Sequence, residues 1–106
     1  MRDYHGLNAT KLKVLETLVE HDRIIGPEIG KRVVGTSAGP YFHLMQQDIE
    51  WLSDHQMVAA YRTNDQGQRL RFFEYSITDK GLDVYRKVTE GWIGVIVQPF
   101  KQEVIG

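Results

Sequence analysis

The chain has 106 residues, 42% hydrophobic and 25% charged, with a formal net charge of −1 and no cysteine. At this length folding hides roughly two thirds of the extended chain's surface, which supports one core and a single compact domain. The composition excludes a disordered chain, a disulfide scaffold and a thiolate-held zinc site. No apolar run reaches the ~18 residues of a membrane span. The polar opening Met1 to Gly6 is no signal peptide, and the lack of thiols fits a reducing cytoplasm.

Leu7 to Glu20 reads as the first helix. Leu12, Leu15, Leu18 and Val19 recur at spacings of three and four and make its apolar face. Asn8 stands at the N-cap, and Leu7 and Leu12 are spaced as a hydrophobic staple. His21-Asp22-Arg23 is polar and ends the helix. After Ile24 and Ile25, Pro27 suits a first helical position and Glu28 favours the helix dipole. A short second helix is therefore expected from Pro27 to about Val34. Gly35-Thr36-Ser37 turns into a third helix, which begins between Ser37 and Pro40 and runs to about His55.

Phe42, Met45, Ile49 and Leu52 form the inner stripe of that third helix. Pro40, His43, Gln47, Glu50 and Asp54 fall on the opposite side. Tyr41, Leu44 and Trp51 lie between, and are expected in the core or against the first helix. Met57 to Thr63 and Leu70 to Ile77 suit strands, joined by the loop Asn64 to Gln68 with Gly67 free to take a positive φ. Thr78 caps a fourth helix with Leu82, Tyr85 and Val88 on its apolar side and Gly81 as its weak point. In the last segment β-branched residues favour a strand, while Gly91, Gly94 and Pro99 argue against a regular helix.

Two central helices with a short turn, followed by a β-hairpin, define a fold class. It is α+β, mostly α: a winged helix-turn-helix of three helices, a two-stranded wing and a fourth helix. Residues 1–90 form this domain, and residues 91–106 are an apolar tail.

Four motifs in order resemble PadR-like and MarR-like transcriptional regulators. They are Leu7-Asn8-Ala9-Thr10 leading into Leu12 and Leu15, then Gly26-Pro27-Glu28-Ile29-Gly30-Lys31-Arg32. Leu52 with Met57-Val58 follows, and Tyr75-Ser76-Ile77-Thr78-Asp79-Lys80-Gly81 closes the series. The likeness covers about residues 7 to 88 and implies the winged-helix fold. Gln56 stands where those families usually carry glycine, and Tyr41 is displaced from the T-L-Y-P run of PadR proteins. Some regulators of this kind bind aromatic effectors between such helices, but no residue pattern here selects an effector.

Ser37, Tyr41, His43 and Gln47 stand at the amino-terminal part of the third helix, the part that approaches base edges in a helix-turn-helix. Arg62, Gln66, Gln68, Arg69 and Arg71 crowd the wing, where arginines pair with phosphates or enter a minor groove. Lys31 and Arg32 on the second helix, with Lys11 and Lys13 on the first, are either further phosphate contacts or ordinary surface charge. Double-stranded DNA is the expected partner. From Ser37 to Asp54, however, there is no lysine or arginine. That gap and the acidic balance favour the alternative, a winged-helix protein-interaction module. In the tail, Trp92, Ile93, Val95, Ile96, Val97 and Phe100 either complete a small core or form a twofold interface. The homodimer is preferred, because so large an apolar patch is unusual on a monomer and a dimer matches a palindromic site.

His5, His21, His43 and His55 do not stand at ligand spacing, and neither H-E-x-x-H nor a phosphate-binding loop is present. The expectation is a regulator rather than an enzyme, with no cofactor and no metal.

Overall fold

Asn8 opens the first helix by accepting a hydrogen bond from the Lys11 amide at 2.8 Å, so α1 spans Ala9–Glu20. The computed structural model describes residues 6–101, with side chains described through residue 90. After α1 come β1 (Ile24–Ile25), α2 (Gly26–Val33), α3 (Gly39–Asp54), β2 (Val58–Thr63), β3 (Arg69–Ile77) and α4 (Asp79–Lys101). Pro27 lies in the first turn of α2, as its fixed φ favours.

Packing selects one face of α1. Val14, Leu15 and Leu18 are buried there, whereas Val19 turns to solvent and Lys11 is buried. The sequence stripe thus errs at Val19, because α1 has apolar residues on more than one side and its neighbours decide which are covered. In α3, Met45, Ile49 and Leu52 are fully buried, and Phe42 packs half-buried against them. Ile29 from α2, Met57, Val58 and Tyr75 complete the core. Each aliphatic side chain buried this way contributes about 2 kcal/mol.

The sheet is antiparallel with order β1-β3-β2. The sequence implies only two strands, yet Ile24 pairs with Tyr75 and Ile25 with Glu74. Two residues are too short to show alternation, so β1 becomes visible only through its partner.

The exit from α3 is a left-handed cap. Gln56 has φ 64, the Met57 amide donates to Leu52 O at 2.9 Å and the Gln56 amide to Ser53 O at 3.0 Å. A non-glycine residue in this conformation costs about 1 kcal/mol. At the next junction the Thr78 hydroxyl accepts from the Gly81 amide at 3.0 Å and donates to Gln56 O at 2.7 Å. Gly81 is no weak point. A Cβ there would collide with the Met57 carbonyl oxygen, so glycine is what lets α4 approach the end of α3.

The carboxy-terminal segment also departs from expectation. α4 continues as one helix through Gly91, Gly94 and Pro99 to Lys101. A helix propagates with one hydrogen bond per added residue, whereas a strand needs a free sheet edge beside it. The side chains of Trp92, Ile93, Val95, Ile96, Val97 and Phe100 lie outside the described residues.

Candidate nucleic-acid interface

With its inner stripe buried, α3 offers solvent a face of Tyr41, His43, Leu44, Gln47, Glu50 and Asp54. Tyr41 is 70% and Leu44 56% exposed, so neither is a core residue, contrary to the sequence reading. Trp51, two turns beyond Leu44, does pack on the core. Lys11 of α1 sits 4.8 Å over its ring, and His55 stacks on it at 3.8 Å between centroids. α1 therefore covers the carboxy-terminal half of this side of α3 and leaves the amino-terminal half open. Ser37 lies half-buried in the turn before the helix.

The wing is shaped by Asn64. Its side-chain oxygen accepts the amides of Gln66 and Gln68, each at 2.9 Å, while its side-chain amide donates to Gln68 Oε1 at 2.8 Å. Gly67 takes φ 80, as the turn requires. The Gln68 side chain is thus partly committed within the tip, whereas Gln66 and Arg69 are exposed.

Between tip and core the strands slip out of step. Tyr61 pairs with Glu74, and the next pair is Thr63 with Arg69, so the extra residues of β3 bulge outward. The bulge carries Arg71, Phe72 and Phe73, all exposed. The Arg71 guanidinium lies 5.3 Å over Phe72, and that of Arg62 lies 4.9 Å over Phe73. At these distances each guanidinium is attracted by a ring face, a contact that does not consume its N–H donors.

Arg23 supports the hairpin. Its Nη2 donates to Thr63 O at 2.7 Å, its Nη1 stands 3.5 Å from Asp65 Oδ1, and its guanidinium covers Tyr61 at 3.8 Å. Arg23 Nε lies 2.7 Å from Glu74 Oε1, close enough for an ion pair, although the N–H direction is not that of a hydrogen bond. Arg23, read in the sequence only as part of the polar end of α1, therefore positions the wing. Its one signal is a complementary carboxylate, Glu74, on a distant strand.

Helix and wing meet at a cleft of about 320 Å³. Ser37, Phe42 and Gln46 line it from the helical side, and Arg62, Arg71, Phe72 and Phe73 from the wing. The fold thereby brings two of the three wing arginines beside the amino-terminal half of α3. Arg69 lies further out, toward the tip. Lys31 and Arg32 are exposed on α2, with Arg32 Nε 3.1 Å from Glu28 Oε2. Lys11 is not available to a phosphate. It is buried in an ion pair with Asp48 at 3.2 Å, where it ties α1 to α3. Among the described residues no three side chains cluster to hold a metal ion, and no helix is long and apolar enough to cross a membrane.

A helix-turn-helix followed by a wing on a three-stranded antiparallel sheet is the MarR-like winged-helix fold. No protein-family model and no curated protein sequence matches the chain. Solved structures do match. YusO from Bacillus subtilis aligns over 90% of this chain and 62% of its own, with a TM-score of 0.73 and 20% identity. The PcaV transcriptional regulator from Streptomyces coelicolor, solved with its natural ligand, aligns over 95% and 70%, with a TM-score of 0.66 and 19% identity. The transcriptional regulator BldR from Sulfolobus solfataricus aligns over 90% and 64%, with a TM-score of 0.64 and 14% identity. The chain thus spans about 62% of the length of YusO. At these identities the likeness establishes the fold. It lies on the MarR-like side of the resemblance in the sequence, and nothing supports the PadR-like side.

Proposed function

We propose that this chain is a cytoplasmic transcriptional regulator, without catalytic activity, that binds double-stranded DNA as a homodimer. The observation that carries the reading is the shared cleft: two guanidinium groups on the wing stand beside the amino-terminal half of α3. On this reading Ser37, Tyr41, His43 and Gln47 enter the major groove, while Arg62 and Arg71 hold the phosphates alongside. Arg69 and Gln66 reach the backbone or minor groove beyond, with Lys31 and Arg32 as outer phosphate contacts. Residues 1–90 are the DNA-binding domain. The helical course of α4 to Lys101 supports a dimer built on its end, because Trp92, Ile96 and Phe100 recur every four residues along it.

A salt titration of duplex binding tests this. Affinity should fall steeply as salt rises, with a log–log slope near −0.9 per phosphate neutralised. Arg62→Ala with Arg71→Ala should weaken all duplex sequences alike and flatten that slope by about 2. The cation-free α3, with Tyr41 and Leu44 exposed, favours one other reading, a protein-interaction module. Failure of the unmodified chain to bind any duplex at low salt would overturn the regulator and favour that module.

A further inference from the structure

Leu44 is the apolar residue of the open α3 face, and the DNA-binding reading does not yet use it. It is 56% exposed and stands one turn from Tyr41 on one side and from Gln47 on the other. Single exposed leucines are ordinary on protein surfaces. This one lies on the side of α3 that α1 leaves uncovered, on the same helical half as Phe42 and Gln46, which line the guanidinium-bearing cleft.

The chemistry of the groove narrows what Leu44 can touch. The apolar group that a base pair displays in the major groove is the C5-methyl of thymine. A leucine brought to the base edges therefore has one matched partner there, and beside any other base it covers a polar edge without replacing that edge's water. The amino-terminal part of the face agrees, and Glu50 and Asp54, the carboxylates that would suit cytosine, lie beyond it toward the other end of α3. With no lysine or arginine from Ser37 to Asp54, α3 lacks the cationic forks that most often read guanine. Gln47 suits adenine, whose partner is thymine. Wing arginines beside this cation-free ridge complement the phosphates that would flank it.

We infer that Leu44 is a specificity-determining residue that packs against a thymine methyl group, so that the recognised half-site is A·T-rich where α3 enters the groove. The inference rests on the DNA-binding reading, and its test separates the two. The full chain selects duplexes from a random pool at low salt. Each thymine of the selected site is then replaced by deoxyuridine, which removes only the methyl group. The unmodified chain should lose about three- to tenfold in affinity at one or two positions, the scale of one desolvated methyl contact. Leu44→Ala should bind thymine and uracil duplexes equally, while Leu44→Met regains part of the preference. Circular dichroism should show both variants folded as before, since the side chain supports no core contact. Indifference of the unmodified chain to every thymine-to-uracil change, or a preference that survives in Leu44→Ala, overturns the role of Leu44 and leaves DNA binding standing. Retention of no duplex at all overturns both.

Discussion

α3 and the wing face each other across one cleft, yet different forces hold them. α3 is pinned by the buried side chains of Met45, Ile49 and Leu52, and its outer face is free of cations and partly apolar, with Glu50 and Asp54 toward its carboxy-terminal end. The wing buries little of itself. Its tip is folded by Asn64, its flank is clamped by Arg23, and its arginines lie on aromatic rings. An apolar stripe specifies position within a fraction of an ångström but offers no charge. Polar clamps hold a projecting hairpin in water and leave cationic edges exposed. On the proposed DNA-binding reading, the molecule divides the work of meeting a polyanion: the helix presents base-sized chemistry, and the wing supplies the charge.

The sharpest way to break this contrast is to cut into the stripe. Ile49→Ala should cost 2–5 kcal/mol, about the full range for a large-to-small core change. Thermal unfolding should then fall by roughly 10 °C or more, with α3 and the wing lost together. Arg23→Ala acts on the other side of the comparison. It removes the charged guanidinium's hydrogen bond to Thr63 O, worth about 2 kcal/mol, together with the ion pair to Glu74. Amide exchange in β2 and the outer part of β3 should quicken, while α1 and α3 amides keep their protection. Equal loss of protection in α3 would show that the wing is not held separately.

Gln56→Gly probes the joint between the two regions. It relieves the left-handed strain at φ 64 and should raise stability by somewhat less than 1 kcal/mol, a gain of a few degrees in the melting temperature. The smallest expected effect concerns Tyr75, where sheet and α3 touch. Burial raises its hydroxyl pKa first, and the Glu50 charge adds to this. Unfolding lowers the pKa back toward its ordinary value near 10, so the unfolded chain sheds protons more readily there. The resulting stability is fully present below about pH 10 and is lost as pH rises through the folded value. Tyr75→Phe should flatten that alkaline decline. It should not abolish it, because burial, then Glu16 and Glu20, also raise the pKa of Tyr85.

Much of this architecture was legible before any coordinates. The Asn8 and Thr78 caps, the inner stripe of α3, the hairpin with Gly67 and the order of elements follow from local chemistry, and local chemistry is what a sequence records. The positive φ of Gln56 was not read, although Gln56 stands where the families of the resemblance usually carry glycine. β1 and the helical course of α4 past Gly91 were not legible. The first is only a strand because β3 lies beside it, and the second overrides residue preferences by cooperativity along the backbone. The phosphate role read for Lys11 was lost to Asp48, a partner on another helix.

Leu44 and Trp51 show where the line falls. Seven residues apart on one helix, they share a side by periodicity alone, and the amino-acid order determined that side, along with the hairpin and its arginines. Only the tertiary structure decided that α1, through Lys11, would cover Trp51 and leave Leu44 in water, and that Arg23 would reach across to Thr63 and Glu74. Periodicity fixes which residues point the same way. What lies opposite them depends on how distant segments pack, and that is set by the whole core at once.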